Sequence, residues 1–150
     1  MLPPVKFIDA LMLKFPTDRT VYKLTIDVLR QDIDELNHVN NVVYLRWVQD
    51  AAYAHWNSMA PDELKAQCNW VVLRHEIDYH APAFPGDVIE ACTWIDPAEG
   101  PKQKRHVFIL RKTDQKPLAS ATTWWCLLDS LTNRPKKVSS EISSALGLKD

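Results

Sequence analysis

The spacing of apolar residues divides the chain into one strand, one long helix and then a run of strands. From Val21 to Arg30 the pattern alternates, with Tyr22, Leu24, Ile26 and Val28 on one side and Lys23, Thr25 and Asp27 on the other. That period predicts a strand with one buried face. The polar segment Gln31 to Asn41 follows. Then Tyr44, Trp47, Val48, Ala51, Ala52, His55 and Met59 fall at helical spacing on one face. Asn40 or Asn41 would cap that helix. Pro61 ends it and is suited to open a short second helix, 61–67.

Trp70 to Tyr79 alternates again, with Val71, Leu73, Ile77 and Tyr79 assigned to one face. Pro82, Pro85 and Gly86 turn the chain into a strand over 87–95. Pro97 to Lys104 reads as a polar loop, His106 to Lys112 as a strand, and Leu118 to Leu128 as the last strand. That last run is apolar on both faces, which predicts a central position. A turn over 133–137 and a small helix over 139–146 complete the chain. Short connections make the four later strands antiparallel, and the long helix is the natural cover for the sheet's apolar face. The fold class is α+β.

The 150 residues suit one domain spanning 1–150, and the formal charge of -1 gives no pull toward nucleic acid or an anionic membrane. Cys68, Cys92 and Cys126 are far apart and form no CxxC pair, so neither a zinc knuckle nor a redox motif is expected. Cys92 and Cys126 lie in apolar runs, as small core residues in a reducing compartment would. Lys6, Asp9 and Lys14 interrupt every apolar stretch near the start, and no window is long enough for a membrane span. The expectation is a soluble cytoplasmic protein.

Chemistry concentrates in Asp32-Ile-Asp-Glu-Leu-Asn-His-Val-Asn-Asn41. A helix start offers free N–H groups and a positive dipole end, a site for an oxyanion. A carboxylate just upstream supplies a base or nucleophile beside it, and together these are two requirements of acyl transfer.

DIDELNHVNNVVYLRW resembles the signature of the hotdog-fold acyl thioesterases, of the hydroxybenzoyl-CoA and acyl-CoA type and of the catalytic half of plastid acyl-carrier-protein thioesterases. Ile77 to Asp87 is similar to that family's strand and turn after the helix, and Leu118 to Ala121 with Asp129 to Val138 to its last strand and closing turn. The resemblance implies a hotdog fold, one long helix wrapped by a five-stranded antiparallel sheet. It also implies a homodimer or homotetramer with active sites at the subunit interface. It assigns catalysis to Asp34, the second Asp of the Asp-x-Asp pair, with His38 beside it. Asn40, Asn41 and Tyr44 match family positions around the substrate, and Trp47 is a further candidate for the acyl pocket. Leu36 stands where the carrier-protein branch has Asn, and Pro82 where it has an acidic residue. The acyl-CoA type, driven mainly by one carboxylate, therefore fits better. No cofactor is implied beyond coenzyme A as part of the substrate.

Simpler roles stand beside these. Asp34 could merely cap the helix. Asp32 reads as a partner for loop backbone. His38 is placed either to order the loop or to touch substrate. Asn40 and Asn41 fit caps, Tyr44 and Trp47 core. Asp32-x-Asp34 opens like a calcium loop, but Leu36 and Asn37 occupy the positions that would need a ligand and a glycine. His75 points away from Asp78 and His80 on a strand, so no metal site is expected. His55 reads as a buried, paired histidine. Arg105, Arg111, Arg134, Lys136 and Lys137 are candidates for a coenzyme A phosphate patch, Arg105 first, because it clusters with Lys102 and Lys104 in the expected 97–104 loop region. Two other functions share this fold class: an enoyl-CoA hydratase or dehydratase, which pairs Asp and His at a different spacing, and a non-catalytic acyl-binding protein.

Overall fold

The computed structural model describes residues 14–149, and the reading of the leader segment around Lys6 and Asp9 lies outside them. The order is β1 (Tyr22–Asp27), a 3-10 turn (Arg30–Asp32), α1 (Asn41–Met59), α2 (Asp62–Gln67), β2 (Cys68–Tyr79), β3 (Val88–Ile95), β4 (Lys102–Arg111), β5 (Pro117–Asp129) and α3 (Ser140–Ala145). All strands pair antiparallel in one sheet ordered β1-β3-β4-β5-β2. The strands flanking α1 in sequence therefore occupy opposite edges, and α1 packs across the sheet between them. This is the hotdog arrangement. β5 lies inside the sheet, as its two-sided apolar run implies.

The helix starts and stops for local reasons. Asn40 has extended backbone, and its side-chain oxygen accepts the Val42 N–H at 3.0 Å. Ala60 N–H closes the last turn on Trp56, and Pro61 then holds Ala60 extended. Pro61 sits just before α2 as its N-cap residue rather than inside it. The face expected to be apolar is buried: Tyr44, Trp47, Val48, Ala51, Ala52 and His55 pack on the sheet, whereas Met59 is exposed. Trp47 is wholly buried, and truncating it to alanine would cost about 3–5 kcal/mol.

Two expectations are corrected. The face assigned to β2 is split by a bulge between Val72 and Arg74. Trp70 and Val72 pair with Leu127 and Trp125 on the inner face, and after the bulge Ile77 and Tyr79 take that face instead. Val71 and Leu73 consequently point outward, 40% and 51% exposed. β4 begins at Lys102, so Arg105 is a strand residue and not part of a loop cluster. β5 is buried along most of its length, and among the strands the exposed large apolar side chains, Val71, Leu73 and Tyr79, lie on β2.

Candidate active site

The loop before α1 is tied at several points. Asp32, 1% exposed, accepts the Leu29 N–H at 2.9 Å through Oδ2 and Arg46 Nη2 at 2.9 Å through Oδ1. Its carbonyl accepts the Asn40 N–H. The reading of Asp32 as a backbone partner is thus what the structure shows, with Arg46 added from the first turns of α1. Ile33 and Val39 form an isolated bridge, and the five residues between them make a tight turn in which Asn37 adopts φ 62°, a conformation asparagine tolerates.

Asp34 shapes that turn. Its Oδ1 accepts N–H groups from Leu36 at 2.9 Å and His38 at 3.3 Å. Its own N–H donates to the His38 carbonyl at 2.8 Å. Oδ2 has no hydrogen-bond partner among the described residues. One carboxylate oxygen holds the loop and the other is available.

Asp34 lines an open cavity of about 750 Å³, mouth included, together with His38, Asn41, Tyr44, Tyr79, His80 and Pro82. Asn41 is the first residue of α1, so the cavity reaches the helix N-terminus. The Tyr79 hydroxyl donates to the Asn41 carbonyl at 3.2 Å. The Tyr44 hydroxyl accepts the Ala83 N–H at 2.7 Å and so fixes the chain after β2 against the helix; burial raises its pKa. Arg111 Nη2 donates to the Pro82 carbonyl at 3.3 Å, and its guanidinium lies over Phe84. Phe84 in turn meets the His38 ring edge-on at 5.4 Å. The His38 ring nitrogens have no hydrogen-bond partner among the described residues.

Four of the sequence candidates, Asp34, His38, Asn41 and Tyr44, are brought together here. Asn40 is the helix cap, and Trp47 sits in the core behind Tyr44, with ring centroids 5.1 Å apart. Arg105 stands elsewhere, 5% exposed on the inner face of β4. Arg111 is held by Asp87 at 3.1 Å and Asp114 at 3.2 Å, so of the five basic candidates Arg105 is buried and Arg111 is ion-paired.

Sequence reasoning did not assign Tyr79 and His80 to the site. They arrive at the end of β2, and only their position before the Ala81-Pro82 turn hinted at it. His80 Nε2 lies 3.0 Å from Ser120 Oγ, and burial lowers its pKa, so it is neutral at neutral pH. His55 is the buried, paired histidine expected. Its Nδ1 accepts from Arg105 Nη1 at 2.8 Å, and its ring stacks on Tyr22. No group of metal-binding side chains is present among the described residues.

The family model of the thioesterase-like superfamily matches residues 28–146. No curated protein matches the sequence significantly. Among solved structures, a 1,4-dihydroxy-2-naphthoyl-CoA thioesterase from Synechocystis superposes with a TM-score of 0.74 at 17% identity, covering 85% of this chain and 96% of that one. A probable thioesterase from Escherichia coli gives 0.71 at 20% identity, with 85% and 98% covered. A thioesterase from Thermus thermophilus, seen with coenzyme A and zinc, gives 0.71 at 23% identity, with 83% and 95% covered. These likenesses concern the fold.

Proposed function

The chain belongs to the thioesterase-like superfamily, and from that premise we propose that it hydrolyses acyl thioesters at the Asp34 cavity. The observation that carries this reading is the half-engaged carboxylate: Oδ1 anchors the turn, Oδ2 is unpartnered among the described residues, and both sit in a cavity that reaches a helix start. Oδ2 takes a proton from water as the water oxygen bonds to the thioester carbonyl carbon, or attacks that carbon itself to give an anhydride that water then opens. In either route the carbonyl oxygen becomes an oxyanion, and in this reading it is received by the Asn41 N–H at the start of α1, since the Val42 and Val43 N–H groups are taken up by the Asn40 cap. Collapse expels the thiolate, which takes up a proton. Tyr44, Tyr79 and Pro82 supply apolar walls for the acyl group.

The substrate class we favour is acyl-coenzyme A. The Leu36 and Pro82 departures argue against the carrier-protein branch, and the Thermus relative binds coenzyme A. No helix among the described residues is long and apolar enough to cross a membrane, which is compatible with work on a soluble substrate. A homodimer joined along β2 would cover Val71 and Leu73 on that edge strand. Thiol release across a panel of aliphatic and aromatic acyl-CoAs tests the activity. Enoyl-CoA hydration with no thiol release would replace it with hydratase chemistry, and no turnover of any member would overturn it.

A further inference from the structure

The turn that carries Asp34 has open space on both sides. Asp34, Leu36 and His38 line the active-site cavity. Ile33 and Asn37 line a second open space of about 1020 Å³, mouth included, together with Val28, Arg30 and Pro85. Packing fixes the two ends of the turn, where Ile33 and Val39 meet the core, but not the span between them; Leu36 at its tip is 71% exposed. The hydrogen bonds of Asp34 give that span its shape, since they stay within 34–38. They do not tie it to the helix.

The tie to α1 runs through Asp32. Its carbonyl accepts the Asn40 N–H at 2.8 Å, its Oδ2 the Leu29 N–H at 2.9 Å and its Oδ1 a hydrogen bond from Arg46 Nη2 at 2.9 Å. One residue thus joins the chain entering the turn, the cap that starts α1 and a side chain from an early turn of α1. Asp32 is 1% exposed, and Arg46 is its one cationic partner among the described residues. Arg46 makes no other ion pair among them. Taking a carboxylate out of water is costly unless a cation and hydrogen-bond donors meet it. Without Arg46 the Asp32 side chain is drawn toward solvent, and the turn moves with it.

We propose that Asp32 and Arg46 are positioning residues for thioester hydrolysis: their ion pair locks the Asp34 turn to α1 and so fixes the reach from Asp34 Oδ2 to the Asn41 N–H, between which the thioester carbonyl sits. The inference rests on the hydrolase reading above. Neither side chain lines the Asp34 cavity, so neither touches the substrate. The carboxylate and the oxyanion donor come from two segments, the turn and the helix, and a displacement of about 1 Å between such groups can cost on the order of 10²-fold in rate.

The test measures kcat and KM for thiol release on one good acyl-CoA, and amide hydrogen exchange at Leu29 and Asn40 without substrate. Arg46→Met should lower kcat on the order of 10–10²-fold. It should leave KM within about threefold, because the binding surface is untouched. Arg46→Lys keeps the charge and a donor for the single Oδ1 contact, and should recover most of the rate. Asp32→Asn has one acceptor oxygen for two donors, the Leu29 N–H and Arg46 Nη2, so it should lose kcat as well. It leaves no unpaired charge in the interior and decides the matter if Arg46→Met does not fold. Because the pair acts as a unit, the double variant should be no slower than the slower single one. In Arg46→Met the Leu29 and Asn40 amides should exchange at least about tenfold faster than in the wild type. The proposal is overturned if the folded variants keep kcat within about twofold of the wild type, if the losses are confined to KM, or if the single losses multiply in the double variant. Absence of thiol release from the wild type overturns the hydrolase reading instead; exchange then decides on the lock alone, faster exchange in Arg46→Met upholding it and unchanged exchange overturning it.

Discussion

Asp34→Asn separates chemistry from shape at the proposed active site. The two loop hydrogen bonds end on Oδ1. An asparagine can keep an oxygen there and place its NH₂ where Oδ2 stood. The turn should persist while the proton acceptor or nucleophile is lost. We expect kcat to fall on the order of 10²–10⁴, the usual contribution of a positioned acid–base group, with Tm moving by less than about 1 °C. Asp34→Ala removes the turn anchor as well. Two hydrogen bonds at about 0.5–1.5 kcal/mol each, one of them long, come to about 1–2 kcal/mol. In a chain of 150 residues that is a Tm loss of about 2–8 °C. Thiol release on one good acyl-CoA, paired with thermal melts, reads both quantities. A near-normal kcat in folded Asp34→Asn would refute the catalytic role. A melt as low as that of Asp34→Ala would refute the division of labour between the two oxygens.

His38→Ala should lower kcat less than Asp34→Asn, since no second group among the described residues orients the imidazole; equal collapse of kcat would show a working Asp–His pair. Light scattering at micromolar concentration should give a multiple of 17.3 kDa, and Leu73→Lys on the β2 edge should shift the protein toward one chain; wild type at a single subunit mass contradicts this. Burial, with Arg105 adding to it, holds His55 neutral down to about 3. The unfolded chain binds that proton below the ordinary value near 6.5 and the folded chain does not, so stability is full above pH 6.5 and falls as the pH drops toward 3. The slope should approach about 1.4 kcal/mol per pH unit from this group and flatten in His55→Asn, whose amide oxygen can still accept from Arg105; identical slopes would falsify the assignment.

The sequence revealed the helix and the chemical loop because each is local. The apolar face of α1 repeats at helical spacing, and Asp34, His38 and Asn41 lie within eight positions of one another. Features that depend on partners were not legible. One inserted residue near Leu73 reverses which side chains face inward, and alternation read through it misplaces Val71 and Leu73. The start of β4 was hidden because its inward positions carry Gln103 and Arg105, polar residues whose partners lie on other elements: Thr93 of β3 and Asp96 just beyond it, His55 of α1 and Ser143 of α3. The wall from Tyr79 to Pro82 joins Asp34 only because β2 ends beside the helix start.

The placement of β1 and β2 at opposite edges also bears on the order in which the chain assembles. The β3–β4 and β4–β5 pairings join neighbouring segments, such as Ile89 with Arg111. Closing the edges requires Tyr22 to find Thr93 and Cys68 to find Asp129. Loop-closure entropy must be met before those contacts repay it, which slows folding in chains of this connectivity. The β3–β5 meander is therefore the natural nucleus, with α1 and both edge strands docking later. Destabilising substitutions at Val107 or Ile109 should act mainly on the refolding rate, and those at Leu24 or Ile77 mainly on the unfolding rate.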